Sequence, residues 1–130
     1  MGNPLSAQDL LDTARRRITR HTPTQAHDAQ SQGAIIVDLR CEADRTAEGS
    51  ISGAIPIALS VLPWRVDPTS PSRDDRLTSR DTTMVLVCND GFSSSLAAAE
   101  LVDMGFTHAG DIEGGFRAWA AAGLPVEADS

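Results

Sequence analysis

The sequence predicts an α/β domain with a mostly parallel central sheet flanked by helices on both faces. Two short runs, Ala34–Val37 and Met84–Val87, are apolar without interruption, as strands covered on both faces must be. Each run leads into a polar turn and then a segment of helical composition. Strand and helix signals alternate along the whole chain, which is the pattern of βα units around a parallel sheet.

In chain order, Ser6-Ala7-Gln8-Asp9 opens a helix, with Ser6 as cap and Asp9 at the third helical position. Leu10, Leu11 and Ala14 give it one apolar face. Arg15-Arg16-Arg17 falls in its last turn, where cations suit the helix dipole. That triplet reads as a solvated helix end rather than a nucleic-acid patch, because the chain is acidic. Ile18–Thr22 is a short extended segment. Thr22-Pro23-Thr24-Gln25 starts a second helix, Thr22 capping it and Pro23 in its first position. Gly33 closes that helix, and Ala34–Asp38 is the clearest strand. Glu42–Glu48 is helical and ends at Gly49. Ile51–Ile57 reads as a turn into a short strand, and Val61–Val66 as a helical turn with Trp64 on its buried side. Asp67–Ser79, with two prolines, three serines and several charges, reads as a long exposed loop. Ala109–Ile112 is a last strand, and Phe116–Ala122 a helix with Phe116 and Trp119 on one face.

At 130 residues the chain suffices for one modest core. A formal net charge of −7 argues against nucleic acid or an anionic membrane as the main partner. No apolar run approaches the length of a membrane span, and the N-terminus shows no basic stretch followed by an apolar one. Two cysteines, Cys41 and Cys88, are too few for a disulfide framework. Three histidines without a CxxC or HxxxH pair do not suggest a structural zinc site. A cytoplasmic location is the expectation.

The chemistry concentrates at Cys88-Asn89-Asp90-Gly91-Phe92-Ser93-Ser94. Cys88 follows the buried Met84–Val87 strand, and a Ser-capped helix over Ser93–Met104 begins a few residues later. Leu96, Leu101 and Met104 lie on that helix's apolar face, and Gly105 ends it. The free amides at a helix N-terminus and the helix dipole favour an anion. Gly91 permits backbone angles that let successive amides converge. A thiolate at Cys88 is thereby stabilised and its pKa lowered. The residues describe a cysteine nucleophile in an anion cradle, against the blander reading of a small buried core thiol.

Three stretches in order resemble the signatures of a single-domain rhodanese, a sulfurtransferase. They are Ile36-Val37-Asp38-Leu39-Arg40 with Glu48–Ala54, the C-x-x-G-x-S pattern within Val85–Ser94, and Glu113-Gly114-Gly115-Phe116-Arg117-Ala118-Trp119. The resemblance covers roughly Thr22–Val126. It implies a rhodanese-like domain over residues 22–130, preceded by a helical extension over residues 1–21. It also implies a double displacement: Cys88 takes the outer sulfur of thiosulfate or a persulfide donor, becomes a persulfide, and passes the sulfur to a thiol or cyanide. The donor can be a small molecule or a protein. No metal or organic cofactor is implied. Asn89, Asp90, Gly91, Phe92, Ser93 and Ser94 would surround the substrate.

The sequence departs from the family in two places. Ser50-Ile51-Ser52-Gly53-Ala54 stands where His-Ile-Pro-Gly-Ala is frequent, and Ser93 stands where the loop often carries a cation. Thiosulfate would gain less Coulomb energy at such a mouth. Two positions keep two readings. Arg40 either pairs with a carboxylate such as Glu48 or lines the substrate pocket. Cys41 is either an inert thiol or a resolving cysteine near Cys88. Among other functions of such folds, a thiol phosphatase or arsenate reductase is disfavoured: a phosphatase needs an Arg six positions after its Cys, where this chain has Ser94. A non-catalytic sulfur-carrier or protein-binding module is the remaining alternative.

Overall fold

A computed structural model describes residues 2–128. Five parallel strands form one sheet in the order β1-β5-β4-β2-β3. They are β1 (Thr19–His21), β2 (Ile35–Asp38), β3 (Ile55–Pro56), β4 (Met84–Val87) and β5 (Gly110–Ile112). The helices are α1 (Ala7–Arg15), α2 (Pro23–Ser31), α3 (Glu42–Glu48), α4 (Leu62–Val66), α5 (Ser93–Asp103) and α6 (Gly115–Ala121).

Strand periodicity divides the core in two. In β4, Met84 and Leu86 point to one face and Val85 and Val87 to the other. The first face packs against α4 and α5 through Leu62, Val66, Ala97, Ala98 and Leu101. The second packs against α2 and α6 through Ala26, Phe116 and Trp119. Every β4 side chain is fully buried, which is why the run carries no polar alternation. α1 lies outside α5 and buries Leu11 and Ala14.

Capping of the first two helices is as expected. Ser6 and Asp9 form a capping box on α1, and Thr22 and Gln25 form one on α2 behind Pro23. The helix Glu42–Glu48 and the strands Ile55–Pro56 and Gly110–Ile112 also fall where the sequence places them.

Several expectations are corrected. Trp64 is 59% exposed, because Leu62 and Val66, four residues apart, take the buried positions of the short α4. Leu96 is 42% exposed, since α5 turns Ala97, Ala98 and Leu101 inward instead. The Asp67–Ser79 loop is anchored rather than wholly exposed: Leu77 is fully buried, and Ser70 and Asp74 are buried beside it. Asp74 accepts hydrogen bonds from Arg76 Nη2 at 2.6 Å and from the Arg76 amide at 3.0 Å. Those bonds hold its carboxyl well below the usual range, at about 2, against the opposing effect of burial.

β1 is the edge strand beyond β5, so the sheet begins at Thr19, ahead of the second helix. At the other end, Ser50 and Glu127 form an antiparallel bridge. Asp38 and Val87 are register partners at the carboxyl ends of β2 and β4. That edge is where open α/β sheets bind ligands.

Candidate active site

The site is built on the turn between β4 and α5. Cys88 leaves β4 at the carboxyl edge and is 7% exposed. Gly91 turns the chain with φ +85°, a conformation that L side chains avoid. The Gly91 amide thereby donates to Cys88 Sγ at 3.2 Å. No serine caps α5: its N-cap is Phe92, without a side-chain cap. The serines serve the sulfur and a carboxylate instead. The Cys88 thiol donates to Ser94 Oγ at 3.3 Å, and the Ser93 hydroxyl and Ser94 amide also bond to the sulfur.

These bonds oppose burial. Desolvation pushes the Cys88 thiol up, and the hydrogen bonds that the Ser94 and Ser93 side chains and the Ser94 and Gly91 amides can make to the thiolate together outweigh it, leaving the thiol below its ordinary value. The free cysteines, Cys88 and Cys41, both line one cavity of about 330 Å³, with Leu39, Arg40, Asp44, Asn89, Asp90, Phe92 and Ser93 completing its wall. Cys41 is exposed, and its thiol is hydrogen-bonded to Asp44. The Asn89 amide donates to the same carboxylate at 3.0 Å. Asn89 first and Cys41 second hold the Asp44 carboxyl below its ordinary value.

The other expected residues fall as follows. Phe92 stands 59% exposed at the cavity mouth. Asp90 also lines the cavity, and Arg117 Nη1 of α6 reaches it at 2.8 Å. Gly91 and Ser94 lie behind the wall rather than in it. Arg40 does not pair with Glu48. Its Nη2 donates to Asp38 Oδ2 at 2.8 Å and to the Gly49 carbonyl at 2.8 Å, and its guanidinium lies 3.8 Å from the centre of the Phe116 ring. Glu48 bonds Arg117 instead. Asp38 and Arg40 are two residues apart at a strand end, on one face, which makes them the natural pair.

The sequence reading missed the support beneath the loop. Asp111 of β5 is fully buried and accepts from Ser94 Oγ at 2.8 Å and Ser95 Oγ at 2.7 Å. Arg20 of β1 donates from Nε to Asp111 Oδ1 at 3.0 Å and from Nη2 to the Gly91 carbonyl at 3.2 Å. Arg15, expected as a solvated helix end, reaches the same carbonyl at 2.8 Å and Ser95 Oγ at 3.2 Å. Only a charged residue inside an apolar strand, Asp111, signals this in the sequence, since a buried carboxylate requires partners. Among the described residues, no cluster of three or more His, Cys, Asp or Glu side chains is placed to hold a metal ion, and no helix is long and apolar enough to cross a membrane.

The Gly114-Gly115 pair lets α6 approach the loop from above. A β-carbon on Gly115 would stand 2.5 Å from the Cys88 carbonyl oxygen. The Phe116 amide donates to that oxygen at 2.8 Å and the Arg117 amide to the Asn89 carbonyl at 3.2 Å. All three sequence signatures therefore meet around one cysteine.

Comparison with known proteins agrees with this convergence. The family model of the rhodanese-like domain matches residues 22–122. The chain is 36% identical over 108 residues to the thiosulfate sulfurtransferase GlpE of Pseudomonas fluorescens, covering 83% of this chain and 89% of that protein. It is 30% identical over 100 residues to a sulfurtransferase of Allochromatium vinosum, covering 77% and 84%. Among solved structures, a Rhodopseudomonas palustris protein of unknown function, described as a possible tyrosine phosphatase, superposes with a TM-score of 0.88 at 32% identity, covering 98% of this chain and 99% of that one. Sheet order, cysteine loop and glycine-tolerated contact, together with these matches, show that the chain belongs to the rhodanese-like domain family.

Proposed function

We propose that the protein is a sulfurtransferase that moves a sulfane sulfur from thiosulfate or a persulfide to a thiol or cyanide through a persulfide on Cys88. The observation that carries this is the surroundings of Cys88 Sγ. It sits behind an open cavity and receives the Gly91 amide, the Ser94 amide and the Ser93 hydroxyl. Such a cradle favours the attacking thiolate and can hold the charge of an added sulfur. The Cys88 thiolate attacks the outer sulfur of the donor. The donor's remaining group leaves with the electron pair, as sulfite from thiosulfate or as a thiolate from a persulfide. The acceptor then attacks that sulfur and Cys88 thiolate departs. Asn89, Asp90, Phe92 and Ser93 form the wall the donor meets, while Gly91 and Ser94 act on the sulfur from behind. Arg40 is a structural residue of this site, since its side chain is fully buried against Asp38.

The relatives named thiosulfate sulfurtransferase or sulfurtransferase support the reaction class. Two free thiols suit a reducing compartment, and we place the protein in the cytoplasm. The phosphatase description of the Rhodopseudomonas protein does not fit this cavity as well. In the one guanidinium among the lining residues, Arg40, Nε and Nη2 are committed to Asp38 and Gly49 and only the buried Nη1 has no partner, so no two-nitrogen clamp for phosphate is free there.

The test is an intact mass after incubation with thiosulfate, with the aryl phosphate p-nitrophenyl phosphate as a parallel substrate. The expected result is a gain of one sulfur, absent from Cys88→Ser and discharged by cyanide. Phosphate release without sulfur uptake would reverse the assignment. Neither reaction would leave a binding module.

A further inference from the structure

The buried carboxylate beneath the loop has a consequence for the reactive sulfur. A serine hydroxyl carries one proton. In the resting site that proton lies between Ser94 Oγ and Asp111 Oδ2, 2.8 Å apart, and the Cys88 thiol gives its own proton to Ser94. When Cys88 ionises, the sulfur needs a donor from Ser94, and Ser94 can turn only by leaving Asp111. A hydrogen bond to a buried carboxylate is about twice as strong as a neutral one. Asp111 and the thiolate therefore compete for one hydrogen. Arg20 weakens the competitor, because its guanidinium satisfies Asp111 Oδ1 at 3.0 Å and Oδ2 at 3.3 Å.

We infer that Asp111 is a positioning residue that opposes the Cys88 thiolate through Ser94, and that Arg20 from β1 sets how strongly it does so. The inference rests on Cys88 being the reactive thiol of the proposed sulfurtransferase. Its purpose is balance. The Gly91 and Ser94 amides and the Ser93 hydroxyl pull Cys88 toward the thiolate. A thiolate of very low basicity is also a poor nucleophile, and the best attacking thiol titrates near ambient pH. Asp111 supplies the opposing pull from the other side of the sulfur.

The remaining charged groups around the loop lie elsewhere. Arg40, Asp44 and Asp90 stand across the cavity, with Arg117 of α6 bonded to Asp90. Arg15 of α1 ends on Ser95 and the Gly91 carbonyl. His21 lies beside Asp111; burial pushes it below its ordinary value and the Asp111 charge pulls it part of the way back. Asp111 is the carboxylate joined to the sulfur by a continuous pair of hydrogen bonds.

The experiment is the rate of alkylation by iodoacetamide against pH, which reads the thiol whether or not sulfur is transferred. In a Cys41→Ser background, Asp111→Asn should lower the midpoint by about half a pH unit or more, and Arg20→Gln should raise it by a similar amount. Adding Ser94→Ala should shrink the Asp111→Asn shift to less than half, because the relay is gone. Opposite shifts distinguish this role from a structural one, since loosening the loop would move both variants the same way. Shifts of the same sign, or none, overturn the inference. If Asp111→Asn fails to fold by circular dichroism, Arg20→Gln still decides: its side chain is partly exposed, and a midpoint that does not rise refutes the proposal. A protein that shows these shifts but takes up no sulfur would refute the function proposed above and leave the inference standing.

Discussion

Gly115 rests directly on the main-chain oxygen of Cys88, with φ +67° and room for nothing larger than hydrogen. The contact passes from helix to nucleophile. By coming so close, α6 sends the Phe116 amide to the Cys88 carbonyl and fixes the turn that aims the sulfur.

Gly115→Ala should therefore damage both stability and reactivity. The left-handed conformation costs an alanine about 1–2 kcal/mol, and the displaced Cys88 carbonyl adds to that. Urea unfolding should show a loss of about 2–4 kcal/mol, and sulfur transfer should fall at least tenfold. A variant within 0.5 kcal/mol of the parent would mean that α6 does not set the loop.

Replacing Cys88 by Ser should abolish sulfur transfer to cyanide, while Cys41→Ser should retain it. Cys41 is exposed and takes no part in the hydrogen bonds at the Cys88 sulfur. Steady-state assays of the two purified variants decide the matter, and activity in the Cys88 variant would dismiss the nucleophile.

The Cys88 thiol lies below its ordinary value. The thiolate fraction, and with it the alkylation rate, should rise with pH through a midpoint lower than the roughly 8.5 of a free thiol. The sign for stability is the same: a depressed acid stabilises the fold above the unfolded value, and that contribution is lost as pH falls through the folded one. A midpoint at or above the free-thiol value contradicts the cradle.

Loop charge should govern the use of thiosulfate. Asp90 faces the cavity but shares Arg117 with Glu48. Asp90→Asn removes a repulsive charge and leaves more of the Arg117 charge unopposed; Ser93→Arg adds a cation at the wall. Each should raise kcat/KM for thiosulfate a few-fold, about 0.5–1 kcal/mol, and more at low salt than at high. A neutral donor should barely respond. Equal responses of charged and neutral donors would show that charge does not select the substrate.

Asp74 should mark the acid limb of stability. Its carboxyl, held at about 2 by Arg76, contributes stability fully present above its ordinary 3.8 and lost as pH falls through about 2. Asp74→Asn should cost about 1 kcal/mol at neutral pH and flatten the dependence across that window. Denaturation at several pH values measures it, and a parallel acid limb in the variant would exonerate the residue.

The legible parts of this protein were those encoded by neighbours. The Met84–Val87 run, the Ser6–Asp9 box and the Thr22-Pro23 start each state their structure within a few residues. Trp64 was misplaced because five residues of helix carry too little periodicity to choose a face. Arg40 does pair with a carboxylate, but the partner is Asp38, two residues away on the same side, rather than Glu48. The support of the loop was illegible for a different reason. Arg15 and Arg20 meet Gly91 across sequence separations of 76 and 71 residues, and only the sheet order brings them there.

That sheet order has a cost for anyone who would move this protein as a cassette. The family match begins at Thr22, and a fragment cut there would lack β1. The strand of Gly110, Asp111 and Ile112 would lose one of its two partner strands. A buried strand would then replace the half-exposed β1, with its Arg20 and His21, at the sheet edge, where it recruits other chains more readily. Asp111 would at once lose its only guanidinium among the described residues. Such a fragment should aggregate on refolding where the whole chain does not, so fusions and recombinants are better joined ahead of Ser6, the cap of the first helix.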